Sequence, residues 1–211
     1  MGTQLAIIEP IQPPDVRRPA RLSKFPQWVE RRLIALRREH QPGPMGRYRE
    51  TPVLPAGLIL EARQRMLIEQ HVAAIDLIFQ MTPENGAEYA EETTIAVSKM
   101  TMVLAGRESG DFASEAKGEA FIDALEDVPS WAVQEAMRKW YRGECGAGHD
   151  YKWQPAPATL RDLAMIEVYR AKSIRRRLAD LAAAEPLIEI TPEHEAAMRA
   201  RIAQYLNVRG A

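Results

Sequence analysis

Apolar residues in the stretch 57–81 recur at Ile68, Val72, Ile75 and Phe79, in steps of four, three and four. A helix returns its side chains to one face about every 3.6 residues, so this rhythm predicts a long amphipathic helix. The same spacing returns later. Phe121, Leu125 and Val128 form one stripe over 114–127, and Val133, Ala136, Met137 and Trp140 form another over 130–142, with Pro129 between them. A further helix over 158–184 carries Leu160, Leu163, Ala164, Val168, Ala171, Leu178 and Leu181. Alternating strand runs and hairpin signals are missing, so the expected class is all-α, an irregular helical bundle.

Punctuation sets the boundaries. Pro10, Pro13, Pro14 and Pro19 lie in an opening stretch without periodicity, which reads as a flexible arm to about Ser23. From Pro26, Trp28, Leu33 and Leu36 interleave with Arg31, Arg32, Arg37 and Arg38 until Gln41-Pro-Gly-Pro44, the pattern of one short basic helix. Thr82-Pro83-Glu84 is a helix-start signature, and Asn85-Gly86 is a place for that helix to break before it runs on to Leu104. Gly106 and Gly110 bracket the next turn. Thr191-Pro192-Glu193 repeats the start signature and opens a last helix with Met198, Ile202 and Tyr205 inward. Pro186-Leu-Ile-Glu-Ile190 is too brief for a sheet of its own. The expected domains are a Pro-rich arm with a basic helix over 1–54, a helical body over 55–184 and a basic helical extension over 185–211.

With 46% hydrophobic and 27% charged residues the chain has enough apolar mass to fold. No apolar run approaches the roughly 20 residues of a membrane span, and the first ten residues do not form a secretory signal. A single cysteine, Cys145, excludes an internal disulfide framework, and the expected compartment is the cytoplasm. Charge is segregated. Residues 1–50 hold ten Lys/Arg and five Asp/Glu, residues 51–135 five and fifteen, and residues 136–211 thirteen and nine. Basic ends around an acidic middle favour interaction over catalysis.

Each candidate for chemistry has a plainer account. Neither phosphate-binding glycine pattern occurs. Cys145 and His149 in the glycine-rich loop 143–148 and beyond lack the third partner that a metal or a positioned nucleophile needs. Glu84, Glu88, Glu91 and Glu92 read as a solvated acidic face, because the Glu-x-x-His pairs of a di-iron bundle are missing. His71, beside the Ile68–Val72 stripe, reads as a surface or half-buried residue. The expectation is a protein that is not an enzyme and uses no cofactor or metal. The cations Lys172, Arg175, Arg176 and Arg177, with Arg31, Arg32, Arg37 and Arg38, have the density of a nucleic-acid footprint, which supports nonspecific DNA contact as an alternative.

Residues 95–164 carry one further signal. Ile95-Ala-Val-Ser-Lys-Met-Thr-Met-Val-Leu104 is followed by Phe121-Ile-Asp-Ala-Leu-Glu-Asp-Val-Pro129, then Ala132-Val-Gln-Glu-Ala-Met-Arg-Lys-Trp140, then Trp153-Gln-Pro-Ala-Pro-Ala-Thr-Leu-Arg-Asp162. This order resembles the small helical domain of phage replicative helicase loader/inhibitor proteins. The resemblance implies a noncatalytic phage or prophage DNA-replication accessory whose partner is a replicative helicase. The acidic stretch before it and the long helical tail after it depart from the family. Trp140, Tyr141 and Arg142 in succession cannot all face one core, so they are candidate partner contacts, as is Trp153, which is also readable as a packed strap. A phage structural or assembly protein that forms homo-oligomers through its helices is the third reading.

Overall fold

The computed structural model describes residues 8–12, 24–42, 48–104, 111–188, 196–201 and 203–204. It is predominantly helical with one small sheet, so the all-α expectation is corrected. In chain order the elements are α1 (Gln27–Ala35), β1 (Arg37–Pro42), β2 (Tyr48–Leu54), α2 (Ala62–Ile78), α3 (Ala87–Val103), α4 (Asp111–Leu125), α5 (Ser130–Tyr141), α6 (Pro157–Ala182) and β3 (Glu185–Pro186). The chain forms two compact units, one from residues 1–34 and 60–182, the other from residues 35–59 and 183–211.

The helical unit forms where the periodicity predicts it. α2 opens at Glu61, whose backbone N–H donates to Gln64 Oε1 at 3.1 Å, an N-terminal capping arrangement. Ile68 and Ile75 are fully buried on it, and Val72 and Phe79 are half-buried at the edge of the same stripe. The Thr82-Pro83 signal starts only a one-turn 3-10 helix, Pro83–Asn85, before the chain restarts as α3. Thr82 makes no side-chain cap. Instead the turn is zipped to the α4–α5 connection: Ser130 N–H donates to the Met81 carbonyl at 2.9 Å, Glu84 N–H to that of Glu126 at 3.2 Å, and the Trp131 indole to that of Ile78 at 2.8 Å.

α5 is buried on nearly every side, with Trp131, Ala132, Val133, Ala136, Met137 and Trp140 all inside. It packs on α3 and α6, and α6 packs also on α2 and α4. The core is completed by Phe121 and Leu125 from α4 and by Leu160, Ala164, Val168, Ala171, Leu178 and Leu181 along α6. Glu84, Glu88, Glu91 and Glu92 are exposed, and Glu92 accepts the Ser130 hydroxyl at 2.8 Å.

In the second unit, β1 pairs antiparallel with β2, Arg37 opposite Val53 and Pro42 opposite Tyr48, and β3 adds parallel to β2 with Glu185 opposite Val53. The basic helix expected from Pro26 to Gln41 therefore ends at Ala35, and Arg37 and Arg38 stand on a strand. Residues 37–42 have no apolar face for a helix to bury, whereas pairing satisfies their backbone groups. The segments expected as separate appendages at the two ends share this sheet: Leu187 N–H donates to the Leu54 carbonyl at 2.8 Å, and Gln41 Nε2 to that of Pro186 at 3.3 Å.

Residues 196–201 and 203–204 are helical, but Met198 is exposed rather than inward. Gly106, Gly110, Thr191, Tyr205 and the arm prolines Pro13, Pro14 and Pro19 lie outside the described residues. Of the arm, Glu9 is anchored, its carbonyl accepting the Trp28 indole N–H at 3.0 Å.

Candidate binding cleft at the start of α6

The connection from α5 to α6 builds a concavity in the helical unit. Gly143 and Gly146, at φ +68° and +106°, supply two left-handed turns that a side-chain-bearing residue resists. The chain then folds back across the end of α5. Trp140 donates its indole N–H to the Trp153 carbonyl at 3.1 Å, and its ring packs against His149 at 5.2 Å and Tyr151 at 5.0 Å between centroids. The Tyr151 hydroxyl donates to the Gly146 carbonyl at 2.6 Å, and Gln154 Nε2 donates to the Thr101 and Leu104 carbonyls at 3.1 and 2.7 Å. The strap is thereby tied to α3 and α5 before Pro157 opens α6, a first-turn position where the missing N–H costs nothing.

Between strap, α4 and the first turn of α6 lies an open cleft of about 400 Å³. Trp140, Trp153, Pro155 and Pro157 give it apolar walls, and Lys117 and His149 are among the polar groups at its edge. The strap reading and the docking reading of Trp153 are compatible here, since its backbone holds the strap while its half-buried side chain lines the cleft.

Of the other partner candidates, Trp140 is corrected to a core residue: at 4% exposure it shapes the cleft from within. Tyr141 is exposed, with partial burial raising its hydroxyl pKa, and Arg142 is exposed and paired with Glu144 at 3.0 Å. Lys117 and Thr159 were not signalled in the sequence as cleft residues; Thr159 lies in the first turn of α6, just after the strap, and Lys117 on α4, with no local spacing to Trp153.

The basic residues do not form one surface in the helical unit. Arg31 and Arg176 are exposed, but Arg32 is half-buried and donates to the Trp28 carbonyl at 2.9 Å and to Gln64 Oε1 at 3.3 Å. Arg175 grips Asp76 with two bonds of 2.9 and 2.8 Å, Arg177 donates to the Leu33 carbonyl at 2.9 Å, and Lys172 sits 6.0 Å from the Phe79 ring centre. Arg37 and Arg38 belong to the other unit. Cations already engaged by the protein have less to offer a phosphate backbone.

Burial raises the Cys145 thiol pKa, the opposite of what a nucleophile needs. Among the described residues no group of three or more His, Cys, Asp or Glu side chains is placed to hold a metal ion, and no helix is long and apolar enough to cross a membrane.

His71 is buried, not at the surface: it is 6% exposed, its Nε2 has no partner, and the Phe25 ring stands against it at 5.8 Å. Burial lowers its pKa below the ordinary value of 6.5. The unfolded chain therefore takes up this proton first as pH falls, so stability is unaffected above about pH 6.5 and declines below it until the folded-state pKa is passed. Urea unfolding of wild type and His71→Gln at pH 7.5 and 5.5 checks this, with the drop in midpoint expected to shrink in the variant.

No known family, no curated protein and no solved structure matches this chain, and the functional reading of the cleft is carried by its own residues.

Proposed function

We propose that this chain is a noncatalytic adaptor that docks a partner protein in the Trp153 cleft, and that the partner is a replicative helicase. The observation that carries the adaptor reading is the cleft itself, an open concavity with aromatic and proline walls, with Lys117 and Asp150 at its edge. Rigid aromatic and proline surfaces suit an inserted side chain because little conformational entropy is lost when they are covered. The choice of helicase comes from the resemblance of residues 95–164 to phage helicase loader/inhibitor proteins, and every lining residue of the cleft falls within that stretch. On this reading the chain is a phage or prophage DNA-replication accessory built on an irregular helical bundle.

Light scattering on a size-exclusion column tests the proposal. A mixture of the full chain with the host's replicative helicase is expected to elute as a complex of defined mass at moderate salt. Separate elution at micromolar concentrations contradicts it.

A further inference from the structure

His71 lies where α2 meets the segment that leads into α1. Phe25 sets its ring edge-on to the imidazole at 5.8 Å, and Arg32 donates to Gln64 Oε1 at 3.3 Å. As the numbering rises from 25 to 32, the partner on α2 falls from 71 to 64. Residues 25–32 therefore run antiparallel along α2, with the fully buried Val29 midway. Beneath this cover the imidazole is buried and its Nε2 has no hydrogen-bond partner.

The surroundings offer a protonated imidazole little. On α2 the positions three and four residues away are Leu67, Ile68, Ala74 and Ile75, all apolar. In the covering segment Lys24, Glu30 and Arg31 are exposed, and Arg32 is itself a cation. From α6, Arg177 reaches the Leu33 carbonyl at 2.9 Å, and Arg175 holds the Asp76 carboxylate with two hydrogen bonds. The Asp76–Arg175 and Phe79–Lys172 contacts set α6 antiparallel to α2, which brings Asp180 level with His71. Asp180 is half-buried and has an interaction of its own. Among the described residues none forms an ion pair or a hydrogen bond with the imidazole. A proton on His71 thus costs hydration without a compensating partner, and the ring regains that hydration once the cover lifts.

The cover is lightly fastened. α1 has nine residues, fewer than the about 12–15 at which an isolated helix becomes marginal in water, and Val29 is its one fully buried side chain. An element with so few buried contacts can open while the rest of a domain stays folded.

From this geometry we propose that the segment from Phe25 through α1 is an acid-released latch, freed from α2 when His71 takes up a proton. It is independent of the reading of the Trp153 cleft.

Hydrogen exchange of the full chain at pH 7.5 and 5.5, corrected for the intrinsic rate at each pH, tests the latch. Protection in α1 is expected to lie well below that of α5 at both pH values. It is also expected to fall by up to about tenfold at pH 5.5, the limit for one proton taken up one pH unit below the ordinary histidine value of 6.5. His71→Gln is expected to remove that fall, and Asp180→Asn to leave it in place. Phe25→Ala decides the matter where His71→Gln folds poorly by circular dichroism: α1 should exchange faster already at pH 7.5 and lose its pH dependence, because water then reaches the imidazole in the closed form. Protection in α1 equal to that of α5 means that it opens only by global unfolding and overturns the proposal. Equal protection at the two pH values also overturns it, as does an acid fall that persists in folded His71→Gln or in Phe25→Ala. Loss of the fall in Asp180→Asn overturns it as well, by assigning the proton to that carboxylate.

Discussion

Replacing Trp131 by Ala is expected to cost about 3–5 kcal/mol of stability, a large share of the roughly 5–15 kcal/mol that holds a typical domain folded. The side chain is 4% exposed at the start of α5, and its indole N–H donates to the Ile78 carbonyl at the last turn of α2. Truncation removes a large apolar volume from the core and orphans a buried carbonyl at the same time. It also loosens the place where the Met81 and Ser130 backbones meet, so α2 and α5 lose their shared anchor. Trp131→Phe keeps most of the volume and should fall between the two. Urea unfolding followed by circular dichroism measures both, and a loss below about 1 kcal/mol for the Ala variant would contradict this packing.

Trp140→Ala is the second large effect, again about 3–5 kcal/mol, but with a different local signature. Trp140 is buried and supports His149, Tyr151 and the Trp153 carbonyl together, so the strap over residues 143–156 loses its floor. Proteolysis within that strap should accelerate more than global unfolding explains, because a segment with few remaining buried contacts opens on its own. Trp140→Phe keeps part of the ring bulk while the Trp153 carbonyl loses its donor, and the expected cost lies between that of the wild type and of Trp140→Ala, about 1–3 kcal/mol. Equal proteolysis rates in wild type and Trp140→Ala would separate the strap from its supposed support.

These effects also mark what could be read before the fold was known. The stripes on α4, α5 and α6 were legible because burial on a helix repeats every three or four residues, and Phe121, Leu125, Val133, Met137 and Leu178 follow that rule to the core. The sheet was not legible. β1 reads Arg-Arg-Glu-His-Gln-Pro, which offers no apolar alternation, and β2 contains Pro52, a residue that argues against a paired strand because it lacks an N–H. β3 is two residues long and exists only because the far end of the chain finds β2. His71 was misplaced for a related reason: what covers it is Phe25, forty-six positions earlier and outside any local pattern.

The cleft was half legible. The Trp153-Gln-Pro-Ala-Pro157 segment stands out in any reading, since two prolines and a tryptophan before a helix cannot be an ordinary turn. Thr159 follows it directly in the first turn of α6, but Lys117 joins it only through the packing of α4 against α6. Trp140 shows the limit of composition-based reasoning about interfaces. A tryptophan is a good contact residue and an equally good core residue, and only the fold tells the two uses apart.

The proposed docking of a partner protein in the Trp153 cleft would shield the residues that line it. Hydrogen exchange of the full chain, free and with the host's replicative helicase in excess, tests it directly. Slowed exchange is expected in residues 145–159 and around Lys117, with α2 unchanged. A complex that leaves those residues exchanging as in the free chain, or no complex at all, would contradict it.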